Sequence, residues 1–203
     1  MPLPRYHRLP ADTRAAILGI ARAHFARDGK EAASFNQIIA EANISKTSAY
    51  HYFDGKDDLF GEVVADAARR TLGALGPWTE VHAADELWEQ LATGARRLRA
   101  QLREHPDDRA VLAEQQRVGG GQDEEGGGDD WIGQLVANGL RIGVIDPGPD
   151  ALLVATATRG IFDVLDRWAL DHPEASEQSV TQALTTLLAR LWGTPPPGLS
   201  DTA

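Results

Sequence analysis

Apolar residues recur along this chain at intervals of three and four, the spacing at which side chains share one face of an α-helix. The pattern predicts nine helices and no strand. Ile17, Ile20, Ala21 and Phe25 define the first, over 12–28, with Gly29 placed to end it. Ser34 and Gln37 stand three apart ahead of Ile38 and Ile39, a capping-box arrangement that predicts a short helix over 34–42. Asn43 can take the left-handed turn that follows. Ser45 is placed to cap a third helix over 46–52, and Asp54 a longer fourth over 55–74.

Leu87, Leu91, Ala95, Leu98 and Leu102 mark a fifth helix, which Pro106 stops, and a sixth follows over 107–118. Residues 119–130, reading GGGQDEEGGGDD, offer nothing apolar to bury and predict a mobile loop. Helix resumes over 131–144 and breaks at Asp146-Pro147-Gly148-Pro149. Two longer apolar segments complete the pattern. Residues 150–171 put Leu153, Ala157, Ile161, Leu165 and Trp168 on one stripe, and 176–192 put Val180, Leu184, Leu187, Leu188 and Leu191 on another. Each stripe needs a partner surface, which a four-helix bundle made with a second copy of the chain would supply. Gly160, in mid-helix, costs about 1 kcal/mol relative to alanine and suits a place where another backbone comes close. Three consecutive prolines from Pro195 end regular structure, and the tail is expected to be unstructured.

Composition narrows the function classes. No apolar run approaches the roughly 18 to 20 residues of a membrane span, and 1–10 lacks the apolar core of an export signal, so a cytoplasmic protein is expected. The absence of cysteine excludes disulfides, thiol nucleophiles and thiolate metal sites. The formal net charge is -10, but residues 1–60 hold eight Lys or Arg against seven Asp or Glu, whereas the remainder holds 12 against 23. A near-neutral head on an acidic body suits a protein that meets nucleic acid through its head alone.

The segment SFNQIIAEANISKTSAYHYF, residues 34–53, has the dimensions of a DNA-binding helix-turn-helix. Its second helix carries Lys46, Thr47, Ser48, Tyr50 and His51, all hydrogen-bonding or cationic and of types that suit base edges or phosphate oxygens, while Ile44, Ala49 and Phe53 can turn inward. Lys56 stands in the first turn of the fourth helix, where a cation is mildly unfavourable unless a bound phosphate reverses the preference. Nothing converges as an active site would: the six histidines are scattered, no HExxH occurs, and the glycine-rich loop lacks phosphate-binding spacing. No catalytic residue, cofactor or metal is expected. Trp88, Trp131 and Trp168 are candidates to line a ligand pocket, against the plainer reading that they pack a helical core.

The run ISKTSAYHYFDGKDDLF resembles the signature of the TetR (tetracycline-repressor-like) family of transcriptional regulators. Ser45, Lys46, Tyr50, His51, Tyr52, Phe53, Lys56 and Leu59 match it, as do Ala21, Phe25, Gly29 and Ile38 upstream. Asn43 and Thr47 replace common glycines, Ala49 a common leucine, and His24 a usually apolar residue. The resemblance implies an all-α fold: a three-helix DNA-binding domain over 11–71, and a helical ligand-binding and dimerisation domain over 75–194. It implies that Lys46, Thr47, Ser48 and His51 approach bases or phosphates, that Ser34, Ser45, Tyr50 and Lys56 complete the DNA contact, and that two copies read a palindromic operator. A small-molecule effector, held between Val81 and Trp168, would release the DNA. The alternative is a regulator of the same type without such a ligand, controlled by a protein partner or acting as an activator.

Overall fold

The structure, a computed structural model, describes residues 2–118, 131–148, 150–172 and 174–194. The glycine-rich stretch 119–130 and the tail 195–203 lie outside the described residues. Among those described there are nine α-helices and no strand: α1 Ala11–Ala32, α2 Phe35–Glu41, α3 Lys46–Tyr52, α4 Lys56–Gly73, α5 Ala84–Glu104, α6 Pro106–Arg117, α7 Trp131–Arg141, α8 Ala151–Asp171 and α9 Glu177–Trp192. A 3₁₀ turn, Tyr6–Arg8, precedes them. The chain divides into two compact units, residues 1–72 with 102–121, and residues 73–101 with 122–203.

In the first unit, α1 buries Ile17, Leu18, Ala21 and Phe25. The Phe25 ring meets the Phe60 ring of α4 edge-on at 5.0 Å. Regular helix ends as expected at Gly29, whose φ of 74° and ψ of 168° no L-residue adopts cheaply. The sixth helix, which the sequence division placed in the C-terminal domain, folds here instead, packing along α1 and burying Val111 in the same core. The reason is partly electrostatic. Asp108 of α6 is buried between Arg22 of α1, at 3.4 Å, and Arg70 of α4, which bonds to it directly. Burial pushes the Asp108 carboxyl above its ordinary range, and the Arg22 guanidinium pulls it back.

His24 is buried, and its bonds fix its tautomer. Arg27 Nη2 lies 3.1 Å from its Nδ1 and can only donate, so Nδ1 accepts and Nε2 carries the proton, donated to Glu41 at 2.8 Å. This links α1 to α2.

The second unit gathers Leu87, Trp88 and Leu91 of α5, Leu135 and Val136 of α7, Val154 and Leu165 of α8, and Leu184, Leu188 and Trp192 of α9. Trp192 is wholly buried, its Nε1 donating to Thr158 Oγ1 at 3.0 Å. Asn138 of α7 clasps the segment before α5: its amide donates to the Val81 carbonyl at 2.9 Å, and its oxygen accepts from Val81 N at 2.8 Å and Trp78 Nε1 at 3.2 Å. Gly139 beside it has no room for a side chain, since a Cβ would lie 2.5 Å from Ile145 Cδ1.

Two expectations need correction. The proposed stripes on α8 and α9 each split: Leu165, Val180, Leu184 and Leu188 are buried within the unit, whereas Leu153, Trp168 and Leu187 are exposed. Both helices are apolar on more than one face. Asp54 is also not the cap of α4. Asp58 reaches back from the first turn to accept from Asp54 N at 3.0 Å, and Gly55, with φ 118°, precedes the helix.

Candidate nucleic-acid interface

Two serine caps set the reading segment. Ser34 Oγ accepts from Gln37 N at 3.4 Å and starts α2; Ser45 Oγ accepts from Ser48 N at 3.0 Å and starts α3. Between them Asn43 takes φ 53°, as expected of a residue that tolerates the left-handed region. Ile44 N then bonds back to Ile39 O at 3.1 Å, so the turn is closed by the backbone itself. Ala49 and Phe53 are fully buried and Ile44 packs against the same core, which fixes the rotation of α3 about its axis.

That rotation leaves Lys46, Thr47, Tyr50 and His51 exposed together. They occupy i, i+1, i+4 and i+5, one continuous helix face. Lys46, Thr47 and His51 make no side-chain hydrogen bond to another described residue. Tyr50, 51% exposed, leans on the Phe35 ring of α2 at 5.6 Å.

The other candidates are engaged within the fold. Ser34 and Ser45 are caps, and Ser48 is half-buried, its hydroxyl accepting from Ser45 Oγ at 2.8 Å. Lys56 directs its ammonium to the Glu31 carbonyl at 2.7 Å, tying the start of α4 to the end of α1. Its placement in the first turn of α4 thus has a structural reason, whatever its remaining donors meet. Lys30 lies 3.3 Å from Asp57 and over the Phe60 ring at 5.6 Å. Of the three lysines in the chain, Lys46 alone points from the helix face with no partner among the described residues.

The family comparison decides what this segment is: residues 17–63 match the sequence profile of the bacterial regulatory proteins of the tetR family. Residues 17–63 are therefore similar to the N-terminal segment of that family. No curated protein matches the sequence. Among solved structures it is similar to a tetR-family transcription regulator from Shewanella sp. PV-4, with TM-score 0.60 and 20% identity over 89% of this chain and 96% of that one. It is also similar to a transcriptional regulator from Streptomyces coelicolor, with TM-score 0.58 and 21% identity over 90% and 99% of the two chains. A tetR-family regulator from Mesorhizobium loti gives TM-score 0.57 and 21% identity over 90% and 96%. At these identities the likeness is one of fold.

The three candidate ligand residues each have a different ring partner. Trp88 is buried with its ring 5.1 Å from that of Trp192, Trp131 is buried edge-on to Trp78 at 4.8 Å, and exposed Trp168 stacks on His172 at 4.5 Å. Among the described residues no metal-binding cluster occurs, and no helix is long and apolar enough to cross a membrane.

Sequence reasoning missed the N-terminal arm. Tyr6 is only 1% exposed, its ring 4.8 Å from Phe53, and Leu3 N donates to Tyr52 O at 2.9 Å. A three-residue turn between prolines has no period to detect. The available signal was chemical: Arg5, Arg8 and Arg14 against a single acid, Asp12, in the first fourteen residues of an acidic chain. Burial raises the carboxyl of Glu62 on α4 above its ordinary value of 4.5, while a hydrogen bond from the Tyr6 hydroxyl pulls it the other way. The folded protein therefore keeps this proton to higher pH than the unfolded chain, so stability falls as pH rises from 4.5 through the folded value and then levels. Glu62→Gln is expected to be more stable than the parent at neutral pH and to lack that fall, read from urea midpoints between about pH 4 and pH 8. Equal midpoints at every pH would mean that burial does not cost this carboxylate.

Proposed function

We propose that this regulator binds a palindromic operator as a homodimer, reads it with the Lys46, Thr47, Tyr50 and His51 face of α3, and is released by a small-molecule effector. The observation that carries the reading is the face itself. Four side chains with hydrogen-bonding or cationic ends stand exposed on one side of a helix whose opposite side is fully buried. Such a helix fits the major groove, where donors and acceptors on base edges distinguish all four base pairs. Dimerisation is supported by Leu153, Val164 and Trp168 on α8 and Leu187 on α9, exposed in a single copy; Val164 is 65% exposed. Gly160 shares the α8 face, with nothing beyond its own stretch of helix backbone and chain neighbours within 4 Å of where a Cβ would stand. Two copies joined there would present two α3 helices to half-sites about 34–36 Å apart. An effector in the second unit is supported by Trp88 Nε1, a buried donor with no partner among the described residues, which an acceptor on a ligand would satisfy.

The test is selection of the purified full chain on random duplex DNA at about 150 mM salt, where nonspecific phosphate binding is weak. A palindrome is expected to be enriched, and Lys46→Ala and His51→Ala proteins that still dimerise are expected to bind it roughly 10- to 100-fold more weakly, at about 1–3 kcal/mol per contact. Folded dimer that enriches no sequence would remove the operator reading.

A further inference from the structure

Arg5 and Arg8 lie one 3₁₀ turn apart, and in a 3₁₀ turn residues i and i+3 eclipse, so both side chains leave on one side. Tyr6, a third of a turn away, fills the core beside Phe53. Together with Leu3, Pro4 and His51 the two arginines line an open cleft of about 410 Å³, so the arm borders the last turn of α3 directly. Neither arginine forms an ion pair with a described residue. The cleft is thus cationic and solvent-facing in a chain of net charge -10.

The arm is also held in place. Leu3 N bonds to Tyr52 O, Leu9 N to Tyr6 O at 3.0 Å, and Arg14 Nη1 to the His7 carbonyl at 3.0 Å. Its backbone is ordered before any ligand arrives, so ordering entropy is not charged to binding. Glu62, the acid next to Tyr6, accepts a hydrogen bond from the Tyr6 hydroxyl.

We propose that Arg5 and Arg8 clamp the phosphodiester backbone of DNA beside the groove that α3 enters, each neutralising a phosphate, with His51 completing the cleft. The inference rests on the DNA-binding reading of α3 and adds a second, sequence-independent contact from a segment outside the helix-turn-helix. Arginine suits the task, since its planar fork matches a phosphate and remains charged at any physiological pH.

The test measures the affinity of the full chain for a mixed-sequence duplex of about 30 base pairs between about 50 and 200 mM salt, where the logarithmic slope counts neutralised phosphates at about 0.9 each. The R5A/R8A protein is expected to lower the slope by about 1.8, with R5K/R8K largely restoring it. R96A/R97A makes the same charge change on exposed residues of α5 in the second unit and is expected to leave the slope at the parent value. Equal slopes for parent and R5A/R8A, with the parent bound, would overturn the arm contact alone, as would an equal fall in R96A/R97A. A parent that binds no duplex at the lowest salt would overturn the DNA-binding reading with it.

Discussion

Phe53→Ala is expected to destabilise the first unit by about 3–5 kcal/mol, the range for deleting a buried phenylalanine from a packed core. Phe53 ends α3 with its ring fully buried, in contact with the rings of Tyr6 and Tyr52. Its loss would remove at once the seat of the N-terminal arm and the residue that fixes the rotation of the reading helix. At roughly 4–8 °C per kcal/mol for a unit of this size, the melting midpoint followed by far-UV circular dichroism should fall by more than about 12 °C. DNA affinity should fall with it, even below the new midpoint, because the exposed face of α3 would no longer be held in one orientation. A loss under about 1 kcal/mol would mean that the core does not close on this ring.

Asn138→Ala should cost about as much for a different reason. The methyl leaves Val81 N–H, Val81 C=O and Trp78 Nε1–H without the partner that all three share. Each buried group stranded this way costs about 1–3 kcal/mol, so a loss of about 3–5 kcal/mol is expected for the second unit. Asn138→Asp separates the contributions. A carboxylate still accepts from Val81 N and Trp78 Nε1 but faces the Val81 carbonyl with no proton to give, so it should rescue little. Near-UV circular dichroism of the Trp78–Trp131 pair reports the clasp directly, and a native-like spectrum in Asn138→Ala would show that the segment is held by other means.

Much of this architecture was legible because local chemistry and tertiary packing agree at the helix ends. Ser34, Ser45, Asp150 and Ser176 all accept backbone N–H groups in the first turn of the helix they precede, and Gly29 and Asn43 adopt the left-handed conformations their types suggest. The exposed face of α3 was legible for the same reason: the buried positions Ala49 and Phe53 turn Lys46, Thr47, Tyr50 and His51 outward. Three features were hidden. The stripes on α8 and α9 were blurred because Leu152, Leu153, Val154, Ile161, Val164 and Leu165 place apolar groups around most of α8, and periodicity alone does not say which of two apolar faces turns inward. The tryptophan pairs depend on the relative rotation of helices far apart in sequence. The arm was hidden because one buried tyrosine in ten residues makes no pattern.

The membership of α6 in the first unit bears on where this chain can be cut. A fragment ending at Leu72 would contain 34–53 whole yet leave open the place of Val111, and it would take the Asp108 carboxylate from Arg22 and Arg70, leaving the two arginines to share Asp66. The first unit is therefore not portable as a leading segment. A transplant must carry 102–121 along with 1–72, or replace α6 with a helix that offers the same apolar ridge and one acid at the matching turn.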